Sequence, residues 1–344
     1  MNFFITLWSL AHVLSIILIL KNTKYFYSVI VLTLLSPLIL TQKFTGDVLI
    51  SYVYQLESQA ANIDYFFQLV YNVIGFLLPN MSVTGKIMAL QLLISFFMIW
   101  SYKAVLPKEN IFFVASICIL SVSHFLSTEN VLRQGLATCF IIFLIVNFRK
   151  RKYFRSFFFL VVAQSFHWSS ALFIVPIVIY NIFREKIESR LINKKQIFKI
   201  RRVFLYLIYS FFATLVLYVI FPEYFNLTTR NSEVDSGLSK VLPLFFIYVL
   251  STYYWMIDNS SINLELNIYR TFFFAIFLML TLVDQTESAS RILFFNFTIE
   301  ALLILCNISA KNMKVKLLSI TIVVIYGFVP NVQTLLKQMD LFNG

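Results

Sequence analysis

The sequence predicts an all-α polytopic integral membrane protein with about 11–12 transmembrane helices. Three observations carry that prediction. The 344 residues are 60% hydrophobic and 13% charged, with a mean hydropathy of +0.82, whereas a soluble chain carries about 25% charged residues. Apolar runs long enough to cross about 30 Å of hydrocarbon recur from one end to the other. Lysine and arginine are also shared unequally between alternate loops, as expected of a chain threaded through a bilayer. No stretch outside the apolar runs is large enough for a soluble domain, so 1–344 reads as a single transmembrane domain.

Taken in order, the expected spans are 2–20, 25–42, 84–102, 110–127, 131–148, 154–182, 203–221, 241–257, 267–283, 292–309 and 317–330. The run Phe3–Leu20 has no basic segment before it and no small-residue cleavage site after it, so it reads as a retained helix. Segment 62–78 mixes Asn, Asp and Gln into an apolar run and reads as an interfacial or partly inserted helix. With the N-terminus outside, 21 of the 28 basic residues face the cytoplasm and 7 face outward. Arg270 is counted on the inner side in that sum. The net charge of +12 is therefore a topology signal with an attraction to anionic membrane lipids, not a nucleic-acid footprint. Cys118, Cys139 and Cys306 lie in apolar runs and read as small hydrophobes.

Segment 154–182 is a special case. Both flanks are strongly basic, so both belong inside. A hairpin of two short helices, 154–166 and 170–182, turning at Phe166-His167-Trp168-Ser169, satisfies the charges. Each arm would be only about 20 Å long, and its turn would need protein or water around it. A single tilted helix that breaks the charge rule is the alternative.

In this topology the informative polar residues gather on the outer side. Asp47 and Tyr52 lie in the first outer loop. Asn130, Arg133 and Gln134 open the fifth span at i, i+3 and i+4, which puts them on one helix face. His167 sits at the hairpin turn, and Asp284, Glu287, Ser290 and Arg291 lie between the late spans. Each has a plainer reading. Arg133 and Arg291 could snorkel or pair with a glutamate four residues earlier, His167 could be a satisfied buried histidine, and Asp47 could serve a turn. No Gly-rich phosphate loop, His-Glu-x-x-His or acidic cluster occurs, so neither a metal nor a cofactor is expected. Glycine is scarce, at 7 residues, and the halves do not repeat, both of which count against a transporter.

Asn130-Val131-Leu132-Arg133-Gln134-Gly135-Leu136-Ala137, followed after a basic connector by Phe166-His167-Trp168-Ser169-Ser170-Ala171, resembles the EpsG-like family of Wzy-type polysaccharide polymerases. That family shows Asn-x-x-Arg-Gln-x-x-Ala and then Phe-His-x-Ser-Ala. Gly46-Asp47 with Tyr52 resembles its early outer motif, and Ser290-Arg291 with Phe294-Phe295 its late arginine. Ile63-Asp64-Tyr65 stands where Glu-Pro is common in the family.

The resemblance implies a GT-C-like membrane glycosyltransferase of the bacterial cytoplasmic (inner) membrane with its active site facing the periplasm. It would move a growing glycan from undecaprenyl pyrophosphate onto another lipid-linked repeat unit, with a chain-length regulator as a further partner. The leaving group then needs its charge stabilised, not a proton, which suits Arg133 and Arg291. His167 or Asp47 would serve the attacking hydroxyl, while Asn130, Gln134 and Tyr52 would hold substrate. The alternatives are a lipid-linked oligosaccharide flippase or other export transporter, and, more remotely, a membrane acyltransferase.

Overall fold

The computed structural model describes 65–121, 123–124, 127, 132–178, 180–182, scattered helical positions between 205 and 219, and 238–323 except 256–260, 284 and 309–312. Asp47, Tyr52, Asn130 and the spans expected at 2–20 and 25–42 lie outside the described residues. Among those described there is no β-strand. The chain forms two compact units, 1–173 with 323–344, and 174–322.

In the first unit the helices are α1 (Tyr65–Leu77), α2 (Val83–Val105), α3 (Ile111–Leu120), α4 (Leu132–Arg149) and α5 (Tyr153–Phe166), followed by a 3-10 segment, Trp168–Phe173. The helix ends follow local chemistry. Ser82 caps α2, its Oγ accepting from Gly85 N–H. Lys103 Nζ donates to the carbonyls of Pro107 and Glu109, which ties down the α2–α3 turn. Asn110 Oδ1 then accepts from Phe112 N–H and starts α3. Caps of this kind satisfy the orphan backbone groups of a helix terminus.

The span expected at 110–127 is not one continuous helix. It stops at Ser121, whose backbone turns extended at ψ 144°. Ser121 Oγ donates to Cys118 O and accepts from His124 N–H, where helix resumes at 123–124. A serine that can bond the backbone on both sides competes with the helical ladder.

A break also falls where the sequence placed one in 154–182. α5 ends at Phe166, His167 is extended (φ −157°, ψ 113°), and the 3-10 segment follows before helical residues at 174–178 and 180–182. A single uninterrupted 28-residue helix is excluded.

The second unit contains α6 (Leu238–Trp255), α7 (Ser261–Leu282), α8 (Thr286–Ile308) and α9 (Met313–Val323). Among the described residues four helices are long and apolar enough to cross a membrane: Gly85–Val105, Leu132–Arg149, Ile262–Leu282 and Arg291–Ile308. α7 is buried almost all round. Elsewhere large apolar side chains face outward, with Phe154 86% and Phe76 84% exposed. Such a surface is suited to hydrocarbon, since soluble proteins avoid large exposed apolar patches. The chain is a polytopic all-α membrane protein.

Candidate active site

In the first unit, α4 and α5 pack antiparallel along an aromatic seam. Phe143 stacks on Phe159 at 5.3 Å, and Phe140 stacks on Phe166 at 5.7 Å with an interplanar angle of 6°. The contacts fix the register: the C-terminus of α5 lies beside Phe140, and the two helical turns of α4 before Phe140 run on past it. Those turns carry Arg133, Gln134 and Thr138. The 3-10 segment packs beside α4 there. His167 and Arg133–Gln134, more than thirty residues apart in sequence, are therefore brought to one end of one helix pair.

At that end Gln134 is buried, and Arg133 and His167 are half-buried. Ser169 Oγ lies 2.6 Å from His167 Nδ1. When Nδ1–H donates to that hydroxyl oxygen, Nε2 carries the lone pair that a base needs. Thr138 Oγ1 and Ser170 Oγ are buried and have no hydrogen-bond partner among the described residues. Two hydroxyls without partners are costly in a dry interior, and they sit beside the residues named above.

Gly135 has a packing role that the motif alone does not reveal. A Cβ there would lie 2.7 Å from Ser127 Cβ, 2.9 Å from Ser127 O and 3.0 Å from Ser127 Cα. α4 thus meets the segment after α3 with nothing between the backbones. On that segment His124 is buried, its Nε2 2.9 Å from Ser95 Oγ on α2. Ser95 donates its own proton to Gln91 O, so His124 Nε2–H is the donor. His124 was not singled out by the sequence reading. Its signal was an ionisable residue inside an apolar run flanked by Ser121, Ser123 and Ser127.

In the second unit, Arg291 is half-buried five residues after α8 begins. Glu287 and Ser290 share its helix, and Asp284 lies outside the described residues. The larger surprise is Arg270. The charge count places it at the cytoplasmic end of a span, but it is fully buried in the middle of α7. Its Nη1 donates to Glu300 Oε1 (3.1 Å) and Ser251 Oγ (2.7 Å), and its Nη2 donates to Tyr248 O (2.9 Å) and Thr252 Oγ1. The guanidinium lies over the rings of Tyr248 and Trp255, at 4.6 and 4.7 Å. Removing it from the count leaves 20 inner basic residues against 7. Local hydropathy could not find the pair because Arg270 and Glu300, 30 residues apart, meet only when two helices align in one register. Glu265 on α7, bonded by Tyr269 O–H at 2.7 Å, is a second buried carboxylate of this unit besides Glu300 on α8.

These features define a helical membrane protein with ionisable and polar side chains held inside its helix bundles. Such residues are rare in spans and mark sites of function or pairing. The EpsG family model matches residues 24–337, nearly the whole chain. The chain belongs to the EpsG family, a family of Wzy-like polysaccharide polymerases. Comparison with curated proteins and with solved structures finds no match.

Proposed function

We propose that this protein is a glycan polymerase acting at the outer face of the bacterial cytoplasmic membrane. It transfers a growing glycan from undecaprenyl pyrophosphate to the end of a lipid-linked repeat unit. The observation that carries this reading is the meeting of Arg133, Gln134 and His167 at one end of the α4–α5 pair, from two motifs separated by a basic connector. A cation and a histidine at the same end of one helix pair suit displacement of a pyrophosphate-lipid by a sugar hydroxyl. Arg133 stabilises the charge growing on the leaving pyrophosphate, and Gln134 orients it. His167, steadied through Nδ1 by Ser169, accepts the hydroxyl proton at Nε2. From the late-arginine motif, Arg291 is given a pyrophosphate-binding role of its own. Asp47 with Tyr52 holds the sugar or provides the alternative base, and Asn130 binds substrate, the role that the family resemblance implies for it. Donor and acceptor are both lipid-borne and enter sideways from the membrane. A chain-length regulator is the expected protein partner.

The test is polymer length on a gel from a deletion strain carrying wild type, Arg133→Ala or His167→Ala. Deletion should leave single repeat units, and wild type should restore long chains. Loss of a preorganised cation should slow transfer by about 100–1,000-fold, so Arg133→Ala should leave units unpolymerised at normal protein level. Long chains from both variants would remove the site assignment. Lipid-linked units trapped on the inner face of the deletion strain would mean a flippase instead.

A further inference from the structure

The α7–α8 interface carries a polar ladder inside otherwise apolar helices. Asn263 Nδ2 donates to Asn307 Oδ1 at 3.1 Å, and Arg270 pairs with Glu300 at 3.1 Å. Both rungs obey one antiparallel register, in which the two residue numbers sum to 570. Phe273 against Phe295 agrees to within two residues. Asn267, Arg270, Asn296 and Glu300 are all buried.

Apolar packing alone would not choose this register. In hydrocarbon the lipid tails are as apolar as the side chains, so burial does not favour one helix alignment over another. Both helices are rich in Phe, Leu and Ile along their length. A slip of one turn keeps that packing but sets Glu300 against Leu266 or Phe274, leaving a carboxylate and a guanidinium unpaired. Stability alone does not explain the pair either, because well-packed apolar residues commonly replace a buried ion pair without loss. What the pair supplies is alignment. Arg270 also binds Ser251, Thr252 and Tyr248 O on α6, so rotation is fixed as well as translation.

Arg291 lies nine residues before Glu300 on the same helix, roughly 13 Å along its axis. We propose that Arg270 and Glu300 are positioning residues that set the depth and rotation of α8 and hence where Arg291 presents its guanidinium. A slip of one turn would move Arg291 by about 5.4 Å, and a misplacement of about 1 Å can cost a reaction roughly 100-fold. The inference rests on the reading of Arg291 as a pyrophosphate cation, and two separate readouts keep the two claims apart.

The first readout is labelling of Arg291→Cys in intact cells by a membrane-impermeant maleimide, measured above the native cysteine background. The pair is present in one sample and replaced by Arg270→Met/Glu300→Met in the other. Arg270→Lys, which keeps the charge but loses the fork, is the second variant should the double one accumulate poorly. The second readout is polymer length for the same pair variants with Arg291 intact, and for Arg291→Ala. We expect a changed labelling rate at 291, together with a polymer yield lowered about 100-fold at normal protein level and melting temperature. An unchanged labelling rate in a folded pair variant overturns the inference, and so does a shifted rate with full polymer yield. Long chains from Arg291→Ala would instead remove the role given to Arg291, whatever labelling shows of α8.

Discussion

Alanine at Gly135 would put a methyl group where the backbone of another segment already lies. Its Cβ would meet Ser127 Cβ at 2.7 Å, Ser127 O at 2.9 Å and Ser127 Cα at 3.0 Å. Two of those three atoms are main chain, so no side-chain rotation relieves the clash. α4 must move away by several tenths of an ångström, or the 121–127 segment must. Overpacking of this kind costs about 1–3 kcal/mol. For a unit of about 200 residues each kcal/mol lowers the melting temperature by roughly 2–4 °C, so the fall should lie between about 2 and 12 °C in detergent. Ser127→Gly added to Gly135→Ala removes only the Cβ contact and should restore part of the loss, not all of it. Because Arg133 and Gln134 precede Gly135 directly, polymer yield should fall further than stability alone requires. A melting temperature within a degree of wild type would refute the close approach. Full rescue by Ser127→Gly would refute the claim that main chain is the obstacle.

Further outcomes follow from other contacts. Glu300→Leu alone strands the Arg270 guanidinium and should cost about 3–5 kcal/mol, while Arg270→Met/Glu300→Met should recover most of that, as thermal unfolding in detergent will measure. His124→Leu removes a donor to Ser95 Oγ and should cost about 1 kcal/mol by the same assay. Arg151 adopts a left-handed φ of 56° in the turn after α4, where Lys152 N–H bonds Asn147 O. Glycine carries no side-chain penalty in that conformation, so Arg151→Gly should leave polymer length unchanged and raise stability by roughly 1 kcal/mol. Cys118 and Cys139 are buried and should resist thiol reagents in the native protein and react on unfolding, a contrast that mass spectrometry would record.

The charge asymmetry gave one orientation but misplaced Arg270, and the difference is instructive. Hydropathy, basic-residue counts and short motifs are local sums over neighbouring residues. They locate apolar runs, the helix break at His167, and the Arg133–Gln134 and Phe166–His167 motifs that mark the family. The α2 and α4 boundaries fall within three residues of the expected spans, whereas α8 begins six residues earlier than expected; a bilayer imposes length on any apolar helix. Four things needed the tertiary structure. They are the Ser121 break, the His124–Ser95 bond, the contact that makes Gly135 necessary, and the Arg270–Glu300 pair. The last three depend on which turn of one segment faces which turn of another, 29 residues away for His124–Ser95 and 30 for Arg270–Glu300, whereas Ser121 breaks its helix through bonds to Cys118 O and His124 N–H close by in the chain. By itself the sequence determined a membrane-embedded helical chain and the motifs it carries. Only the tertiary structure decided which buried polar groups are partners, because a polar group in a low-dielectric interior is stabilised or costly according to the atom opposite it, and that atom is chosen by helix register rather than by local composition.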